Sequence, residues 1–112
     1  MTDRKIIRFV GSARDDLKLF PMSARRDAGF QIDKVQSGLD PDDWKPMTSI
    51  GPGVREIRVR EMDGAFRVIY LAKFEEAIFI LHCFRKKTER TSSKDLARAS
   101  ARYKDVLKER KP

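Results

Sequence analysis

Five side chains in the second half of the chain carry most of the chemistry that this sequence offers: Arg58, Arg60, Arg67, His82 and Lys86. Four of them are cations. Arginine presents a rigid fork of donors that suits carboxylate and phosphate oxygens, and lysine adds a compact point charge. Such a set stabilises an anion, and where charge develops during a reaction it stabilises that charge. His82 is the single histidine, and its unperturbed pKa of about 6.5 suits acid–base work. A single histidine set between Leu81 and Phe84 is nonetheless more often a satisfied structural residue. Cys83 is the single cysteine and reads as a small core residue, because no base is placed for it. One cysteine excludes an internal disulfide, and one histidine with one cysteine gives no zinc-ligand set. No metal and no cofactor are expected.

These residues are positioned by the stretch Val54 to Lys87, which reads as three consecutive antiparallel strands. The first spans Val54 to Glu61, the second about Ala65 to Phe74, and the third Ile78 to Arg85. All three carry the β-branched and aromatic residues that suit a pleated surface. Asp63-Gly64 between the first two is a strong hairpin signal. With those two as the turn residues, Arg60 lies opposite Arg67, Arg58 opposite Ile69, and Ile57 opposite Tyr70. A second turn at Glu75-Glu76 sets Tyr70 opposite Leu81, Ile69 opposite His82, and Arg67 opposite Phe84.

Side chains alternate between the faces of a sheet, so this register sorts them into two sets. Ile57, Val59, Phe66, Val68, Tyr70, Phe79, Leu81 and Cys83 form a core face. Glu56, Arg58, Arg60, Arg67, Ile69, Leu71, Ile80, His82, Phe84 and Lys86 form the other. Arginine directly opposite arginine is destabilising unless an anion or a carboxylate compensates. Removing Arg67 is therefore expected to spare folding or improve it slightly. A longer second turn would flip the last strand and exchange Lys86 for Arg85 and Lys87.

The remaining chain supplies the scaffold. Its 112 residues suit one domain with a modest core, spanning residues 1–112. A net charge of +8 points to an anionic partner, most simply nucleic acid. Residues 1–76 hold 14 basic and 13 acidic side chains, and residues 77–112 hold 11 and 4, so the excess lies in the last strand and tail. No signal peptide or membrane span is evident, which suits a soluble, cytoplasmic protein. Lys5 to Val10 reads as a first strand stopped by Gly11. A helix follows at about Ala13 to Phe20, and Pro21 opens a second that runs to about Ser37 and ends at Gly38. Leu39 to Gly53, with three prolines and two glycines, reads as loop pinned by Trp44, Met47 and Ile50. Its acidic start, Asp40, Asp42 and Asp43, is either a partner surface or a solvated turn. A last helix at about Lys94 to Glu109 carries Leu96, Ala99, Tyr103, Val106 and Leu107 on one stripe.

The predicted fold class is α+β in the order β-α-α-β-β-β-α, an antiparallel sheet with its first strand at the edge or in crossover pairing and its helices on one face. The ordered series Lys45-Pro46-Met47, Gly53 to Arg58, Phe66 to Tyr70, Leu81 to Thr88, and a last helix with Ala97 and Arg102 resembles the RelE/ParE superfamily of bacterial type II toxins. Within it the chain is most similar to the phage-derived Gp49-like proteins related to HigB toxins. The resemblance covers about residues 5–110.

It implies a RelE-like fold and a toxin that enters the ribosome and cuts messenger RNA by attack of the 2′-hydroxyl, without a metal. A cognate antitoxin, expected to be of the helix-turn-helix type, would neutralise it. Arg58, Arg60, Arg67 and Lys86 would hold the phosphate, His82 would be the acid–base candidate, and Arg85, Lys87, Arg98 and Arg102 would grip RNA or ribosome. Two other readings share the fold: a ParE-like toxin that acts on DNA gyrase by protein contact, and an inactive phage-derived nucleic-acid-binding protein.

Overall fold

A computed structural model describes residues 4–110. The elements are β1 (Ile6–Phe9), α1 (Ala13–Lys18), α2 (Met22–Gln36), β2 (Trp44–Pro46), β3 (Val54–Glu61), β4 (Gly64–Leu71), β5 (Ala77–Lys86) and α3 (Ser93–Arg110). The five strands form one sheet in the order β1-β5-β4-β3-β2. β1 runs parallel to β5 at one edge, and every other pairing is antiparallel.

Three expectations are corrected. Trp44 to Pro46 lies within the segment read as loop, yet it pairs with Ile57, Glu56 and Arg55 as a three-residue edge strand. An edge is the place where Pro46, lacking an N–H, does no harm. The first hairpin turns at Met62-Asp63, so Glu61 faces Gly64, Arg58 faces Arg67, and Arg60 faces Ala65. A turn with Asp63-Gly64 at its centre needs positive φ at both residues. Among the described residues only glycines have it, and Gly64, at φ +137°, takes it just after the turn. The register thus slides by two, which preserves the assignment of faces.

The third correction concerns the helices. From Ala65 to Ile69 the pairing with β5 is as expected, including Ile69 with His82 and Arg67 with Phe84. A bulge then intervenes, and Tyr70 faces Ile80 instead of Leu81. One extra residue exchanges the faces of everything before it on the strand. Ile78 and Ile80 join the core under α1 and α2, with Phe20, Ala28, Ile32, Val59, Phe66 and Val68. Phe79 and Leu81 move to the opposite face beside Ile69, Leu71 and Phe84. That makes the second face too apolar to leave wet, and Ala99, Tyr103 and Val106 of α3 cover it. The helices therefore occupy both faces of the sheet.

α3 is docked closely. Tyr103 lies against Gly51, where an added Cβ would come within 2.4 Å of the ring. Gly51→Ala is therefore expected to force the ring or the helix to move, at about 1–3 kcal/mol, the usual cost of overpacking. Thermal unfolding measures this, and an unchanged midpoint would mean that α3 can shift freely over the sheet.

Candidate functional site

On the second face α3 covers the apolar half, and the basic half forms the site. At its centre is Glu56 on β3, fully buried. Its Oε2 accepts a hydrogen bond from Thr91 Oγ1 at 2.9 Å. Its Oε1 lies 3.5 Å from Arg67 Nε and 3.9 Å from Lys45 Nζ. Strand geometry assembles this set: Lys45 is the direct neighbour of Glu56 on β2, and Arg67 on β4 lies diagonally, directly opposite Arg58. The like-charge pair foreseen for this hairpin exists with Arg58 in place of Arg60, and Glu56 is the carboxylate that compensates it.

Compensation is incomplete. Arg67 is 3% exposed and donates from Nη1 to the carbonyl of Phe66 at 3.0 Å. Glu56 Oε1, Arg58 Nε and Arg67 Nε are buried without a hydrogen-bond partner among the described residues. Burial pulls the Arg67 pKa down, Glu56 opposes this, and Arg58 and Arg60 add to it. Lys86 is also lowered, first by desolvation and then by the charge of Arg67. Cations that repel one another at close range favour any anion that settles among them. The opening to solvent is a groove of about 520 Å³ lined by four cations, Arg60, Arg67, Lys86 and Lys87, against two carboxylates, Glu61 and Glu89.

His82 lines a different groove, of about 660 Å³, with Lys86 and Lys87 bordering both. Its ring stacks on Phe84 at 4.9 Å, and its Nε2 lies 2.7 Å from Asp95 Oδ1. Asp95 is itself fixed at the start of α3, where its carboxylate accepts from the Ser92 hydroxyl and its N–H donates back to Ser92 Oγ. Burial lowers the His82 pKa, with Asp95 opposing and Arg102 and Arg98 adding to the fall. At neutral pH the ring is therefore neutral, donating Nε2–H to Asp95, and its buried Nδ1 has no partner among the described residues.

The remaining candidates are dispersed. Arg85 pairs with Phe66 on the opposite face of the sheet, where its guanidinium lies 5.7 Å from the ring and donates to the Asp63 carbonyl. Arg98 lines the larger groove. Arg102 is turned inward, donating to the Leu81 carbonyl at 2.9 Å and to Ser12 Oγ at 2.8 Å. Burial pushes the Cys83 thiol up to about 12, as suits a core residue.

The acidic loop stays at the surface, with its three aspartates exposed yet paired. Asp40 pairs with Arg55 at 2.9 Å, and Asp43 lies 3.9 Å from Arg58. Asp42 is held below its ordinary range by hydrogen bonds from Lys34 and Gln31.

Sequence reasoning treated Glu56 only as a neighbour of Arg58 and missed Lys45, Thr91 and Asp95. The signal for Glu56 was its phase: it shares a strand face with Arg58 and Arg60, two and four residues on. Asp95 stands three residues after Ser92, a capping spacing.

Fold and site together define a small mixed α+β protein with a preassembled cationic groove on its sheet. The chain belongs to the family described as phage derived protein Gp49-like (DUF891), whose model matches residues 15–104. That family is a branch of the RelE-like toxins. No curated protein matches the chain. Among the described residues, no helix is long and apolar enough to cross a membrane, and no three His, Cys, Asp or Glu side chains are grouped to hold a metal ion.

The geometry reverses one expectation about folding. Arg67→Ala would strand Glu56 as a buried carboxylate, so it should destabilise the protein, by about 3–5 kcal/mol for a broken buried pair. The double variant Arg67→Leu with Glu56→Leu should recover much of that loss. Chemical denaturation distinguishes the two, and an equally unstable double variant would mean that Arg67 acts through packing alone.

A second expectation follows from His82. Its folded pKa lies below its unfolded value of about 6.5, so folding binds it in the neutral form. Its contribution is complete above about pH 6.5 and is lost as the pH falls through the lower folded value. Stability should therefore decline on acidification from neutrality, and His82→Gln should flatten that slope. A rise in stability over the same window would show that the Asp95 carboxylate outweighs burial.

Proposed function

We propose that the protein is the toxin of a type II toxin–antitoxin module, with a RelE-like fold, and that it cuts messenger RNA on the ribosome. The observation that carries this reading is the groove in which Arg60, Arg67 and Lys86 converge beside a buried carboxylate. Cleavage by the 2′-hydroxyl requires that oxygen in line with phosphorus, stabilised charge on the phosphoryl oxygens, and proton transfer on and off. Arg60 and Lys86 border the opening and reach an incoming phosphate. Arg67 forms the floor, held by Glu56, so its charge is in place before the substrate arrives. Arg58 adds to the field from beside it. The ribosome supplies alignment of the scissile nucleotide, which lets a small basic protein act. His82, whose neutral ring lines the adjoining groove with Nδ1 buried, is the acid–base candidate nearest in chemistry. Lys87 and Arg98 extend the basic surface toward the RNA, and Arg85 adds charge on the other face. Ribosome and messenger place the action in the cytoplasm, with a helix-turn-helix antitoxin as the partner that restrains it.

Lys86→Ala tests the reading without opening the Glu56 cluster. Cleavage of a programmed messenger on purified ribosomes should fall by about 10²–10³, the scale of losing one preorganised charge donor, with the thermal midpoint unchanged. Ribosome or RNA binding should also weaken linearly in log salt, with a slope of about −0.7 for each single-strand phosphate neutralised. Undiminished cleavage would remove Lys86 from the chemistry. A salt-insensitive interaction would favour a protein target, as in gyrase inhibition.

A further inference from the structure

β5 runs ten residues, but β1 pairs with only its first four, Ala77 to Ile80. The hydrogen bond from the Val10 N–H to the Ile80 carbonyl ends that pairing, and the chain then turns away into α1. Beyond the bulge, every residue from His82 to Thr88 lines the 660 Å³ groove. Neighbouring side chains of a strand point to opposite faces. A groove lined by an unbroken run therefore follows the strand's backbone edge, with its row of N–H and C=O groups, and does not lie over either face.

We infer that this free edge of β5 is a docking site for an extended acidic segment of a protein partner, which joins the sheet as a further strand.

Three features select that occupant. The other end of the sheet is blunted, because β2 has three residues and one of them is Pro46. Along β5 the one edge carbonyl engaged by a side chain, among the described residues, is Leu81, held by Arg102. The walls set the side-chain chemistry. Arg85, Lys87, Arg90, Lys94 and Arg98 surround the groove. Its two carboxylates are already engaged, Asp16 by the Ser12 hydroxyl at 2.8 Å and Asp95 by His82 and Ser92. A strand carrying acidic side chains is thus matched on both sides. At the α1 end, Leu19 is 82% exposed beside Phe20 and Pro21, which offers one apolar contact to an extended peptide. Main-chain pairing for affinity with side-chain pockets for specificity is the logic of strand addition. The inference stands whether or not the protein cuts RNA: this groove shares Lys86 and Lys87 with the one lined by Arg60 and Arg67, but the backbone edge of β5 takes no part in the chemistry proposed there.

The test uses the full chain and fluorescein-labelled ten-residue peptides alternating Glu with Val or Leu. Two N-methylated versions are compared, one blocked at the odd amides and one at the even. Strand addition uses one set of amides only, so one version should bind about tenfold or more weakly while the other binds like the parent. Amide hydrogen exchange should slow between His82 and Lys87. Leu19→Glu and Lys94→Glu should each weaken the acidic peptide, and a Lys-for-Glu peptide should not bind. Equal binding of both methylated versions would reduce the contact to charge alone and overturn the inference. So would protection confined to other elements, or a groove occupied by a uridine decamer but by none of the peptides. Messenger cleavage by the unmodified protein is read separately, so failure here and failure of the nuclease reading are distinguishable.

Discussion

The basic end of this sheet depends on one buried carboxylate. Glu56 has no exposed surface, and a lone ionised carboxylate in such a place would be untenable. It is tolerated because Arg67 and Lys45 approach Oε1 while Thr91 donates to Oε2. The dependence is mutual. Arg67, 3% exposed and facing Arg58 across the hairpin, would be equally untenable without Glu56. Glu56 thus allows two arginines to stand side by side on neighbouring strands. Replacing the whole cluster with well-packed apolar residues would cost the sheet little, as buried ion pairs often contribute little net stability. Retaining charge there has a physical rationale when the charge is used.

The bulge before His82 is the second constraint, because it divides the second face. On one side of it Phe79, Leu81, Ile69 and Leu71 form a floor for α3. On the other, β5 continues to Lys86 in phase with Arg67, as its pairing with Ala65 requires. A strand without the extra residue would have left Ile80 under α3 and Leu81 under α2. The bulge also frees the Leu81 carbonyl for Arg102, which in turn reaches Ser12 at the start of α1. One side chain thereby joins the helices on opposite faces at the edge of the sheet, near the point where β1 stops.

Much of this was legible in the sequence, and the misses have particular causes. Turn residues and β-branched runs located the three long strands, and the period-2 pattern put Arg58, Arg60, Arg67 and Lys86 on one face. The hairpin slid by two because Gly64 could take positive φ and Asp63 did not, a choice that the Asp-Gly pair alone leaves open. Since two is the strand period, the face assignment survived the error. The bulge shifts by one, and so it moved Phe79, Ile80 and Leu81 to faces that alternation could not foretell. From that single residue came the misplacement of α3, whose own stripe of Ala99, Tyr103 and Val106 was read correctly. Glu56 was in view but undervalued, because burial is a property of the assembled sheet and the loop above it. The acidic loop agrees with its reading as a solvated turn: Asp40, Asp42 and Asp43 stay exposed, and only their pairing with Arg55, Lys34 and Arg58 had to await folding.

How α3 is held explains why the cationic groove can be rigid without a rigid loop around it. The segment Thr88 to Ser92 forms part of the wall, and as an exposed connection it would ordinarily be free to move. Here both of its sides are anchored. β5 fixes the entry, and the Ser92 cap fixes the exit, with Asp95 bound to His82 on β5 itself. Thr91 then donates to Glu56 from between those anchors. Swinging the segment outward would break that bond and leave Glu56 with two cations and a hydrated gap. The charge cluster therefore holds its own wall closed, and the wall holds the carboxylate that orients Arg67. A cation positioned in this way need not reorganise when an anion arrives, and such preorganisation is where electrostatic stabilisation gains most over water.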